Sequence, residues 1–146
     1  MTSAAGGPKP AGYSGTPLPR KLGIKPGHTV AVLGGPAGFA DGLAALSGAD
    51  VAQALPAAGL LDVIVTFVRW REELETQLPG LRRRMAPACG LWIAWPKRAA
   101  KVPTDMTEHV MREVALPTGL VDNKVCAIDE VWTGMRLVIR RELRPA

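Results

Sequence analysis

The sequence predicts a three-layer α/β domain, a mostly parallel sheet with helices on both faces and an antiparallel C-terminal strand. Three observations carry this. Strand-like apolar runs alternate with helix-period segments, which is the order of a parallel sheet with crossover helices. Gly90-Leu91-Trp92-Ile93-Ala94-Trp95-Pro96-Lys97 is apolar on both faces, opened by glycine and stopped by proline. Alternation is lost in this way when helices cover both sides of a strand. Finally, the last two apolar runs are joined by Glu130-Val131-Trp132-Thr133-Gly134. That link is too short for a crossover, so those two strands must be antiparallel neighbours.

Each element follows from local pattern. Residues 1–12 are rich in Gly, Ala, Pro and Ser and are expected to form a flexible tail, because they bury too little to offset their ordering entropy. A single domain is expected over 13–146, beginning near Tyr13. Thr16 before Pro17 reads as an N-cap with proline at the first helical position. Leu18 and Leu22 then share a face, and Gly23 ends the turn. Thr29–Leu33 is the first strand. Gly34-Gly35-Pro36-Ala37-Gly38 follows it, and then a helix from Phe39 to Leu46, with Phe39, Leu43 and Leu46 on its inner face.

Asp50–Leu55 reads as a short second strand. Pro56–Gly59 is too short to hold a helical crossover, so this segment is either no strand or an edge strand with an extended connection. Leu60–Val68 is β-branched and apolar, a stronger strand. Arg71–Met85 carries a helical stripe of Leu74, Leu78, Leu81 and Met85, with Pro79 expected to kink or split it. After the Gly90–Trp95 strand, Asp105 with Glu108 three residues on reads as a capping box. The helix it opens turns Met106, Val110 and Val114 inward and ends at Pro117 and Gly119. Lys124–Asp129 and Met135–Arg141 are the closing strands.

The 146 residues include 47% hydrophobic and 21% charged residues, an ordinary globular balance. No apolar run approaches the roughly 20 residues needed to span a bilayer, and Met1–Pro10 lacks the apolar region of a secretory signal. A cytoplasmic protein is expected. Cys89 and Cys126 form no CxxC motif and fall in or beside buried strands, as reduced core thiols do. The net charge is +5, concentrated at Arg82-Arg83-Arg84, Lys97-Arg98, Lys101 and Arg140-Arg141. It favours acidic partners, but no nucleic-acid motif accompanies it and aromatics are few, so nucleic acid is set aside as a partner.

In open parallel sheets, ligands bind outside the carboxyl ends of the strands. Three loops should gather there: the glycine turn, Arg69-Trp70-Arg71, and Pro96-Lys97-Arg98. Gly34, Gly35 and Gly38 would offer backbone donors, Arg69 and Lys97 charge, and Trp70 and Trp95 stacking surfaces. That combination suits an anionic, partly planar small molecule such as a nucleotide-like ligand. The glycine turn is neither GxGxxG nor a Walker loop, and Pro36 removes one donor. Catalytic candidates are thin. His28 stands at the opposite end of the first strand, His109 is a helix-boundary residue, and Asp62 and Asp129-Glu130 are strand-end or turn residues. No metal motif and no nucleophile elbow are present, and the residues specify no cofactor.

Three segments carry a family resemblance: Ala11–Leu18, Leu91–Lys97 and Gly119–Gly134, the last reading GLVDNKVCAIDEVWTG. They resemble family 3052 of the bacterial domains of unknown function, over roughly Ala11 to Arg141. The resemblance implies a bacterial, cytoplasmic protein and carries no mechanism with it. A looser likeness is to the second half of the Rossmann-like fold of S-adenosylmethionine-dependent methyltransferases, in the strands Leu61–Val65 and Gly90–Trp95 and the closing hairpin. The front departs from that pattern. Leu33-Gly34-Gly35-Pro36 stands where an acidic residue and a G-x-G turn are usual, and Gln53-Ala54-Leu55-Pro56 where a ribose-binding carboxylate is usual.

The functional expectation from sequence is therefore a non-catalytic or regulatory domain for an anionic small molecule. The alternatives are a divergent or degenerate methyltransferase-like enzyme, or an interaction module using the C-terminal hairpin and Val131-Trp132-Thr133. Exposed sheet edges also allow a homo-oligomer.

Overall fold

The computed structural model describes residues 16–144; the expected tail over 1–12 and the expected start at Tyr13 lie outside them. The strands are β1 (Thr29–Leu33), β2 (Asp50–Ala52), β3 (Leu61–Phe67), β4 (Met85–Pro96), β5 (Leu120–Ala127) and β6 (Trp132–Ile139). They form one sheet in the order β2-β1-β3-β4-β6-β5. β1, β2, β3 and β4 run parallel. β6 is antiparallel to both neighbours, inserted between β4 and β5. The expected fold class is the one observed.

Helices α1 (Leu18–Leu22), α2 (Phe39–Ser47), α3 (Arg71–Arg83) and α4 (Glu108–Ala115) cover the two faces. Successive residues of a strand point to opposite sides, and the core divides accordingly. Ile64, Leu91, Ile93, Trp95, Met135 and Leu137 pack with Leu74 and Leu78 of α3 and Met111 of α4. On the other side Val30, Val32, Val65, Phe67, Trp92 and Ala94 pack with Leu22 and with Leu43 of α2. This two-sided burial is why β4 reads as a continuous apolar run.

β2 is a three-residue edge strand, and the chain passes from it to β3 on the far side of β1 without a helix. Arg84 fastens that extended connection. Its Nε donates to the Gly59 carbonyl and its Nη2 to the Pro56 carbonyl, both at 2.8 Å. The edge-strand alternative is therefore the observed one, shortened to Asp50–Ala52.

Several local expectations are corrected. Leu46 is 72% exposed; the inner face of α2 is Ala40, Leu43 and Ser47, and Leu46 falls on a flank that no described element covers. Pro79 neither kinks nor splits α3, which is a single helix from Arg71 to Arg83. Pro79 and Glu75 are both exposed, so the carbonyl that proline frees can turn to water. Met85 belongs to β4. Pro17, one residue after Thr16, is the N-cap of α1. The N-cap of α4 is Thr107, whose side chain accepts from Val110 N, and Met111 and Ala115 are its buried residues. Asp105 caps a different helix.

Candidate functional site

Because β1, β3 and β4 are parallel, their carboxyl ends at Leu33, Phe67 and Pro96 share one rim of the sheet. The glycine turn, the Arg69–Arg71 loop and the Pro96–Arg98 loop therefore open at the same edge. They do not all line one cavity. A cavity of about 690 Å³ at this rim is lined by Trp95, Lys97, Arg98, Lys101, Thr104, Met106, Glu108 and Thr133, among others. Of the residues singled out from sequence, it brings together Trp95 and Lys97.

Trp95 is 5% exposed and belongs to the α3–α4 core. It forms the cavity's floor more than a free stacking face. The wall opposite is a strap, Lys101–Met106, whose last two residues the sequence assigned to the cap and inner face of the next helix. Four hydrogen bonds clamp it to the start of α3. Thr104 Oγ1 donates to the Arg69 carbonyl at 2.5 Å, and Asp105 N donates to the same oxygen at 3.3 Å. Arg69 Nε donates to the Pro103 carbonyl at 3.0 Å, and Arg71 N to Asp105 Oδ1 at 2.7 Å. Lys101 is the one non-glycine residue with positive φ among the described residues, at 56°. A lysine held in the left-handed region costs about 1 kcal/mol or more and persists only where its surroundings fix it.

These bonds also place Arg69 and Trp70 outside the cavity lining. Glu73 Oε1 accepts from Arg69 N at 2.8 Å and from Trp70 N at 2.9 Å. With Asp105 on Arg71 N, the chain's own carboxylates occupy the first donors of α3, where an incoming anion would otherwise bind. The Arg69 guanidinium stacks 5.4 Å from the Trp70 ring centroid. Trp70 is 41% exposed on a separate shelf with Glu72, Glu73, Thr76 and Gln77.

Gly34, Gly35 and Gly38 lie exposed at the end of β1, each for its own reason. Gly34 takes φ +68 against the carbonyl of Phe67, which a Cβ would approach to 3.2 Å. A Cβ on Gly35 would stand 3.0 Å from Val32 Cγ1 and 3.3 Å from the Phe67 ring. Gly38 takes φ +79 in open space as the N-cap of α2. Beneath the turn runs an edge-to-face aromatic row. Phe39 meets Phe67 and Phe67 meets Trp132, each at 5.0 Å between centroids. Trp132 is half-buried in that row, so the hairpin's aromatic loop is core packing and loses its standing as a free docking patch.

The remaining candidates have structural partners. His28 Nδ1 accepts from Lys25 N at 3.1 Å. Asp62 Oδ2 accepts from Thr29 N at 2.8 Å, and Asp129 Oδ1 from Val131 N and Trp132 N. His109 is exposed, 3.4 Å from Glu113. Both cysteines are free thiols; burial above all pushes Cys89 up to about 12, and burial also raises Cys126. No trio of metal-ligating side chains occurs among the described residues. Nor, among them, is any helix long and apolar enough to cross a membrane.

No family model matches the chain, that of the bacterial family named above included. No curated protein matches it either. Solved structures do. A SAM-dependent methyltransferase from Aquifex aeolicus superposes with a TM-score of 0.64 at 17% identity, over 82% of this chain and 87% of that one. DhpI in complex with SAH gives 0.61 at 10% identity, over 85% and 82%. The fibrillarin pre-rRNA processing protein of Methanococcus jannaschii gives 0.60 at 14%, over 80% and 68%. The chain thus has the Rossmann-like fold of SAM-dependent methyltransferases. This corrects the expectation of a non-catalytic or regulatory domain, since methyltransferases recur among the structures it resembles.

Proposed function

We propose that the chain is a divergent methyltransferase-like enzyme that uses S-adenosylmethionine. The observation that carries this reading is architectural: the whole sheet, with β6 inserted between β4 and β5, matches methyltransferases over more than four-fifths of the chain. Fold alone does not assign chemistry, so the rim must also suit the cofactor. The exposed backbone of Gly34–Gly38 fits the cofactor's amino-acid end, because glycines with positive φ let a ligand approach the main chain closely. The ribose end meets a changed donor set. Gln53 follows β2, and an amide oxygen accepts a hydroxyl proton without the strength of a charged carboxylate. Weak cofactor binding is the expected consequence.

The cofactor supplies a methyl group on a sulfonium sulfur, an electrophile that needs only a positioned nucleophile. The cavity beside Trp95 is the place for the acceptor molecule. Lys97, Arg98 and Lys101 line it and would hold an acidic group on the acceptor. Glu108 is the carboxylate among its lining residues, bonded by Arg112 Nη2 at 3.3 Å, and is the group placed to take up an acceptor proton.

Calorimetry with S-adenosylmethionine and S-adenosylhomocysteine tests this directly. Saturable heat with either, weakened by Gly38→Val, is the expected result. Silence with both at millimolar concentration, with no rise in unfolding temperature, would remove the proposal.

A further inference from the structure

We propose that the cavity between α1 and the β5–β6 hairpin is a second site, for a small diphosphate-bearing molecule. Among the described residues it shares no lining residue with the cavity beside Trp95. Arg20, Lys21, Lys124 and Arg136 line it with Gly23 and Asn123, around a volume of about 210 Å³. That is several times the ~30 Å³ a water molecule occupies in the liquid.

The charge comes from three elements that the fold brings together. Arg20 and Lys21 stand in the last turn of α1. Lys124 of β5 lies directly opposite Arg136 of β6. Arg136 is in turn opposite Trp92 of β4. Directly opposed residues of an antiparallel pair share a face. That face is the one under α1, because the Trp92 indole N–H donates to the Leu22 carbonyl at 3.0 Å. Both strands therefore aim cations at the underside of the same helix.

Such an arrangement is unfavourable by itself. Like charges directly opposed across a ladder destabilise it, and α1 adds two more. Among the described residues none of the four forms an ion pair, and residues 1–15 and 145–146 contain no Asp or Glu. Lys21 Nζ donates to the Ala127 carbonyl at 3.3 Å, and Lys124 Nζ to the Lys21 carbonyl at 3.4 Å. These bonds hold the amines in place without neutralising them.

Gly90 shows that room is made for the guanidinium. A Cβ on this buried residue of β4 would stand 2.6 Å from Arg136 Nε and 3.1 Å from Cζ, so any side chain here would push the guanidinium aside. Glycine inside a strand weakens it and marks a close approach by another group. Here the approaching group is the Arg136 side chain, laid across β4. Guanidinium forks and ammonium donors together match phosphate oxygens. Four cations that form no ion pair among the described residues call for more than one negative charge. Among the described residues the lining has no aromatic side chain, so these residues offer no stacking surface of the kind single-stranded nucleic acid uses.

The test is calorimetric titration of the full chain with pyrophosphate, beside orthophosphate and a short oligonucleotide. Pyrophosphate should bind at one site and more tightly than orthophosphate. Lys124→Gln and Gly90→Ala should each weaken it about tenfold, the loss of one charge-assisted hydrogen bond, the second by displacing Arg136 while every charge stays in the chain. Without ligand and at low salt, Lys124→Gln should raise the unfolding temperature by relieving the opposed pair. No heat with pyrophosphate overturns the proposal. So does equal affinity in wild type and K124Q, which folds whatever becomes of G90A. Binding of the oligonucleotide alone would assign the patch to a polymer instead. A K124Q protein less stable than wild type without ligand would make the cluster structural, and would overturn the proposal as well.

Discussion

The indole N–H of Trp92 donates to the main-chain carbonyl of Leu22 at 3.0 Å, fastening α1 to the central strand β4 through the interior. Both residues have no exposed surface. The bond therefore has no water to replace it, and it sets where α1 and its two cations stand over the sheet. Trp92→Phe would leave the Leu22 carbonyl buried without a donor and open a void the size of the lost ring. Together these should cost about 3 kcal/mol. Urea unfolding should show the midpoint falling while the slope stays unchanged, as when stability alone is altered.

The glycine turn separates two kinds of glycine requirement. Gly38→Ala meets open space but a left-handed backbone, and should cost about 1 kcal/mol. Gly35→Ala meets Val32 and the Phe67 ring, and should cost about 1–3 kcal/mol through overpacking. Ring-proton NMR shifts of Phe67 should move in the Gly35 variant and stay put in the Gly38 variant. Equal perturbation of the ring by both would show that the turn moves as one body.

Much of the fold was legible because burial on two faces writes itself as continuous apolar sequence. Gly90–Trp95 and Leu61–Phe67 are central parallel strands, and they read as such. The β5–β6 pairing followed from the shortness of the link between them. What misled was local chemistry that the tertiary structure redirected. Asp105 has the spacing of a cap for α4, yet its carboxylate serves Arg71 N of α3, a partner 34 positions away that no window of sequence reveals. Leu46 has the right period for the core, but none of the described elements packs over that flank of α2.

The rim was legible as a place and much less as a cavity. Parallel strands fix which loops share an edge, so Gly35, Arg69 and Lys97 were correctly assigned to one end of the sheet. Which of them face a common space depends on the strap at Lys101–Met106, whose bonds to Arg69 are long-range. The methyltransferase likeness lay in the order of elements and was weakest where its motifs should be sharpest, at Leu33–Pro36 and Gln53–Pro56. The cation cluster beneath α1 was unreadable for the same reason. Lys124 and Arg136 become neighbours only through register, and Arg20 only through the docking of α1.

Acid should weaken the contact between α3 and α4. Arg71 Nη1 bonds Glu113 Oε1 at 2.8 Å, and that bond first, then the charge of His109, lowers the Glu113 pKa. A carboxyl group with a depressed folded-state value stabilises the protein above its unfolded value of about 4.3, and loses that contribution as pH falls through the folded value. Glu113→Gln should therefore narrow the stability difference between neutral and acid pH. Thermal unfolding of both proteins across that window reads this out. Parallel pH profiles would show that the pair contributes nothing measurable, the common fate of exposed ion pairs.

Among the four bonds that hold the strap beside Trp95 to the start of α3, one comes from the Asp105 carboxylate, acting at a distance. Asp105→Ala removes the acceptor of Arg71 N, and the loss of such a helix-terminal acceptor costs about 1 kcal/mol. Thr104 Oγ1 and Arg69 Nε remain to tie the strap down, so the fold should survive. Amide hydrogen exchange should then quicken at Arg71, Asp105 and Met106, leaving Val63–Phe67 and Leu91–Trp95 protected. Since the strap forms the wall facing Lys97, the same variant should bind anionic acceptors in that cavity more weakly, with pyrophosphate binding under α1 unchanged. Exchange confined to Arg71 would mean that the threonine and arginine bonds alone hold the wall, and the cavity would then keep its affinity.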